Sequence, residues 1–201
     1  KVVSDSLPLA LIPNFTTVVS EAGGTATANL SVAGTLKKPD MRGALALNRA
    51  KFRLAATGAL FEDLNGTVRM TGDSVYVDSI AGTANGPVRL TGTLGIGDWR
   101  EPTFNLAFQA QDAELLNNDR GDVHADVNLR VTGPFTHANV TGQLSVVHGV
   151  LYIPEPTGKK LVGAGDAQLF SVVDTSVAAE REIFPAQSPL FEGLTVDVAL
   201  T

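Results

Sequence analysis

The chain contains no cysteine among its 201 residues, so neither disulfides nor thiolate metal sites can form. An oxidising compartment is still allowed, since many exported bacterial proteins carry no cysteine. Clustered charge is lacking too: 15 basic and 21 acidic residues give a net charge of -6 and are scattered singly. No basic face is available for nucleic acid. No stretch approaches the roughly 18 apolar residues of a membrane span, and Leu7–Ile12 is broken by Pro8 and followed by Pro13. Membrane contact is expected only through parts of the protein beyond this stretch. The chain starts at Lys1 without a methionine and ends at Thr201 in a strand-like run, so it reads as a segment, residues 1–201, of a longer β-repeat domain.

What is present is a foldable, apolar composition, 44% hydrophobic with 18% charged. Its dominant pattern has period two. Val123-His-Ala-Asp-Val-Asn-Leu-Arg-Val131 alternates five apolar with four polar residues, the mark of a half-buried strand. The same alternation recurs at Leu30–Val32, Leu45–Leu47, Val68–Met70, Val75–Val77, Val88–Leu90, Phe104–Phe108, Val140–Val146 and Leu194–Val198. Roughly a dozen strands are predicted. Glu21-Ala-Gly-Gly24, Asn65-Gly66, Gly72-Asp73, Asn85-Gly-Pro87 and Asn117–Gly121 read as the turns between them, Asn65-Gly66 as a two-residue hairpin. An antiparallel meander follows.

Internal similarity is visible when Leu30–Gly43 is set against Leu129–Gly142: both read apolar-x-apolar-x-Gly, a polar corner, then a second strand. A weaker copy is Val88–Leu94. The core repeats are expected over 22–153 and the start of another strand over 190–201. Recurrent glycines at strand ends suit bulges or corners in a curved, elongated sheet. Pro154 to Pro189 interrupts the alternation and is expected to be a long loop inserted at 154–189. Within it, Leu169, Val172, Val173 and Val177 stand at helical spacing behind Asp166, so the loop reads either as irregular or as holding a short amphipathic helix. It is an ordinary insertion or a plug.

Catalytic signals are sparse. His124, His137 and His148 all fall at polar phases of strands or corners, and the alternation points the His124 side chain toward solvent. No Gly-x-Ser-x-Gly elbow, His-Glu-x-x-His motif or phosphate-binding glycine loop occurs. Asp112 with Glu114, Asp119 with Asp122, and Glu180 with Glu182 lack calcium-loop spacing and read as solvated acids. No catalytic residue, cofactor or metal is expected. Four Asn-x-Ser/Thr tripeptides, beginning at Asn14, Asn29, Asn65 and Asn139, carry little weight.

The apolar face remains. Burying one Val, Leu or Phe contributes roughly 1.5–3 kcal/mol, so a dozen left bare would forgo more than the usual domain stability of about 5–15 kcal/mol. Something must cover that face. Its residues are small aliphatics, aromatics make up only 6% of the chain and Trp99 is the one tryptophan. A sugar-binding module would show more aromatic platforms; a smooth aliphatic lining suits acyl chains.

The series from Leu30 to Leu47, continued through Leu64–Met70, Val75–Gly82, Pro87–Leu94 and Gly142–Ile153, resembles the TamB family, within the AsmA-like and bridge-like lipid transfer proteins. The resemblance implies an all-β fold: an elongated curved antiparallel sheet, a half-pipe or β-taco, of repeated amphipathic strands with an aliphatic concave lining. It implies a non-enzymatic periplasmic protein of a Gram-negative bacterium, anchored in the inner membrane. Its expected partners are phospholipid acyl chains and an outer-membrane assembly barrel protein. On this reading Val68, Met70, Val88, Leu90, Phe104, Leu106, Phe108, Val127, Leu129 and Val131 line a lipid groove. The competing reading is a structural or adhesive β-repeat of an exported surface protein with a closed core.

Overall fold

The structure, a computed structural model, describes residues 2–35, 38–98, 101–152 and 194–201. The loop expected at 154–189, with or without a short helix around Asp166–Val177, and Trp99 lie outside them. Ten strands follow in chain order: β1 (Val2–Pro8), β2 (Val19–Thr35), β3 (Lys38–Leu54), β4 (Leu60–Gly72), β5 (Ser74–Ala84), β6 (Gly86–Gly95), β7 (Thr103–Asn118), β8 (Gly121–Pro134), β9 (Asn139–Leu151) and β10 (Thr195–Leu200). They form one open sheet in the order β1 to β10, the curved antiparallel sheet expected from period two. At its far edge β10 runs parallel to β9, with Thr195 opposite Asn139 and Leu200 opposite Leu144. Parallel pairing needs a crossover of a dozen or more residues, and residues 152–194 supply the connection.

The repeat seen in the sequence is the corner joining two long strands. Leu30–Gly43 spans the β2–β3 corner; Leu129–Gly142 spans the β8–β9 corner, where Phe135–His137 makes a single 3₁₀ turn. Gly43 and Gly142 sit at equivalent places, with φ of 136° and 141°. A Cβ on either would lie 1.9 or 2.0 Å from the backbone oxygen of Asn29 or Asn128 on the preceding strand. Only glycine allows that approach.

Two turn assignments are corrected. Glu21–Gly24 lies inside β2 and Asn65-Gly66 inside β4; the actual tight turns are Gly72-Asp73, Asn85 and Asp119-Arg120. Asn65 serves a different purpose. The register shifts on β3 around Arg49, on β4 around Asp63 and on β7 around Asp112, and these three residues take positive φ of 47°, 48° and 44°. Each is a β-bulge, and together with Gly24 on β2 they form a line across the sheet that sharpens its twist. At two of them the stranded amide is caught from the next strand: Arg49 N–H donates to Asn65 Oδ1 at 2.9 Å, and Asp112 N–H to Asp126 Oδ1 at 2.8 Å. Asn65→Ala and Asp126→Ala should therefore each lower unfolding free energy by about 1 kcal/mol, measured by urea denaturation, despite lying on exposed positions.

Near this line the sheet admits only methyl groups: Ala26, Ala50, Ala84, Ala113 and Ala125 are fully buried. They cluster with Leu64, Val88, Ala110 and Val127, and with Leu9 of a 3₁₀ turn at Leu9–Asn14 that tucks against one end of the face. No large side chain among the described residues is fully buried. Among the described residues, only small side chains of the apolar layer are buried completely.

Candidate functional site

Residues paired across a sheet share a face, so register alone locates the apolar side chains. One row runs Leu47, Gly66, Ile80, Leu90, Phe108, Leu129 and Gly142 across β3 to β9. The next, toward the β2–β3 corner, runs Val68, Val77, Gly92, Leu106, Val131 and Val140; beyond it come Met70, Val75, Leu94 and Phe104. On the other side lie Val88, Ala110, Val127 and Leu144. All ten residues singled out in the sequence, Val68, Met70, Val88, Leu90, Phe104, Leu106, Phe108, Val127, Leu129 and Val131, therefore stand on one face. Val88 and Val127 are buried and the other eight half-buried.

That face is concave. Phe61 on β4 and Phe108 on β7 meet edge to face, ring centroids 6.4 Å apart and planes at 71°. Three strand spacings in a flat sheet would separate those strands by about 14 Å, so the sheet curls enough for the side chains to converge. One end is also closed. The β3–β4 loop reaches past the short β5–β6 hairpin to β7, where Gly58 bridges Leu116 and Asn117 N–H donates to the Thr57 carbonyl at 2.8 Å. Beneath this closure lies a groove of about 380 Å³ lined by Val19, Leu47, Phe52, Leu54, Phe61, Leu64, Ile80, Val88, Leu90 and Phe108.

Val88, Leu90 and Phe108 are the sequence-selected residues that enter this groove. Phe52, Leu54, Phe61 and Leu64 were missed because the bulges at Arg49 and Asp63 turn the spacing of inward residues from two into three, between Leu47 and Ala50 and between Phe61 and Leu64. No lining residue of the groove is charged or polar.

Charge lies on the opposite face. Glu21 joins Lys51 at 3.0 Å and Arg53 at 3.1 Å, and Lys51 also reaches Glu62. Hydrogen bonds from Lys51 and then Arg53 hold the Glu21 carboxyl below its ordinary range, and Glu21 raises Lys51. Arg69 grips Asp78 through two hydrogen bonds, lowering the Asp78 carboxyl, and lies over the Tyr76 ring. His124 departs from the expectation. It is on the polar face but only 8% exposed, because the bulges curl β7 around it and His148 stacks on its ring with centroids 4.2 Å apart.

No curated protein and no solved structure matches the chain. The TamB C-terminal domain matches residues 78–201, from β5 through β10. That span carries the half of the curved sheet holding Val88, Leu90, Phe108, Val127 and Leu129. The chain belongs to the TamB family, the translocation and assembly modules of the Gram-negative envelope.

Proposed function

We propose that this segment is a non-enzymatic lipid conduit, holding phospholipid acyl chains along its concave face. The observation that carries the reading is the contiguous apolar lining, half-buried over eight of the ten selected residues and free of charge in the groove of about 380 Å³. Each methylene moved from water onto such a surface contributes about 0.8 kcal/mol, so ten methylenes along the trough supply about 8 kcal/mol without any polar anchor. A lining without hydrogen-bonding groups fixes no single position, which suits tails that slide. In the full-length protein, anchored in the inner membrane and lying in the periplasm, the trough carries phospholipid between the two membranes and supports outer-membrane protein assembly with a barrel partner. Native mass spectrometry after gentle purification tests this. A conduit releases phospholipid on collisional activation, whereas a structural or adhesive repeat with a closed core releases none.

A further inference from the structure

At the closed end, on the polar face, three side chains converge that are far apart in sequence: Asp112 on β7, His124 on β8 and His148 on β9. Asp112 Oδ1 stands 3.6 Å from His124 Nδ1 and 3.7 Å from His148 Nδ1. These distances exceed a hydrogen bond, which runs about 2.7–3.2 Å. They match the edges of a tetrahedron around a cation, since bonds of about 2.0–2.2 Å to nitrogen and oxygen set neighbouring ligand atoms roughly 3.3–3.6 Å apart. All three ligand atoms lie within 4.8 Å of one another. Because the His124 and His148 rings are stacked with an interplanar angle of 19°, binding requires the exposed His148 ring to rotate until its Nδ1 lone pair meets the ion. We propose that Asp112, His124 and His148 form a binding site for a divalent transition cation of the zinc type.

Independent support comes from the far side of the His124 ring. Its Nε2 lies 3.1 Å from Asp122 Oδ1, within reach to donate a proton to that carboxylate, an arrangement that leaves Nδ1, on the Asp112 side, as the ligand atom. Asn85 Nδ2 lies 3.3 Å from the same Nδ1, so a cation binding there displaces the Asn85 amide. A carboxylate that orients an imidazole from behind is the usual support of a histidine ligand. Glu114, the other acid at this place, is engaged by Asn117 Nδ2 at 2.6 Å, leaving Asp122 as the orienting group.

The backbone explains the convergence. Asp112 is the bulge residue of β7, with φ of 44°, and the register between β8 and β9 shifts beside His124 and His148. Without those shifts the side chains would alternate past one another. Asp112 and His148 are exposed, giving an ion an open path, while His124 is nearly buried. Two imidazoles and one carboxylate favour zinc or its neighbours over calcium or magnesium, which prefer all-oxygen sets. A fourth position stays open to water. Binding would tie β7, β8 and β9 together where the half-pipe closes, whatever the trough carries.

Isothermal titration of the chain with zinc chloride tests the site. One equivalent should bind and raise the melting temperature, with calcium and magnesium chloride giving no heat. His148→Ala and Asp112→Asn should each weaken zinc at least about tenfold, and Asp122→Asn about 10- to 100-fold. Asn tolerates the positive φ at position 112, and circular dichroism of each variant should match the parent. Absence of saturable zinc binding, or affinity unchanged in both His148→Ala and Asp112→Asn, would overturn the proposal.

Discussion

Phe108→Asp is expected to lower phospholipid occupancy at least about a hundredfold, read by native mass spectrometry and by lipid extraction. Phe108 stands mid-row between Leu90 and Leu129 and meets Phe61 across the trough. Removing the ring forgoes roughly 1.5–3 kcal/mol of apolar contact with a tail, and an unpaired carboxylate against hydrocarbon adds more. With every 1.4 kcal/mol worth tenfold, about 3 kcal/mol already gives the hundredfold loss. Two controls separate this from misfolding. Phe108→Leu keeps the lining apolar and should retain lipid, and Gln109→Asp, one residue along on the opposite face, should leave occupancy unchanged.

Gly58→Ala should strongly destabilise the sheet itself, costing about 2–5 kcal/mol of a total stability of about 5–15 kcal/mol. Gly58 has φ of 75°, and a Cβ there would sit 1.8 Å from the Asn117 carbonyl oxygen. Backbone cannot yield as a flexible side chain can, so the bridge to Leu116 must open. The positive φ alone accounts for about 1–2 kcal/mol and the overpacking for about 1–3 kcal/mol. Gly72→Ala isolates the first contribution, because Gly72 has φ of 66° with nothing within 4 Å of a built Cβ. The difference between the two variants in urea midpoints measures the closure of the groove end.

Period two was sufficient to put the ten selected residues on one face because none of the runs 68–70, 88–90, 104–108 and 127–131 contains a bulge. Where a bulge intervenes, legibility ends. Phe61 and Leu64 point the same way three residues apart, and no residue between them announces the shift: Asp63 takes its positive φ without a glycine. Asn65-Gly66 carries the strongest local hairpin signal in the chain, yet the pairing of β3 with β4 and β5 holds it in a strand and turns the Asn65 amide into the partner of Arg49. The Asp112, His124 and His148 cluster is invisible in one dimension, since its members come from three strands and meet only through the register shifts of β7 and β9. The parallel edge strand was equally hidden: Leu194–Val198 shows its alternation but not its direction.

The central claim is that one face of the strands holds lipid and the other does not. It is tested most directly by a photo-crosslinking amino acid placed in turn at Leu129 and at Arg130, adjacent residues on opposite faces of β8. Irradiation of the protein in cells is expected to give phospholipid adducts at position 129 and background labelling at 130. Equal labelling at the two positions would contradict the account.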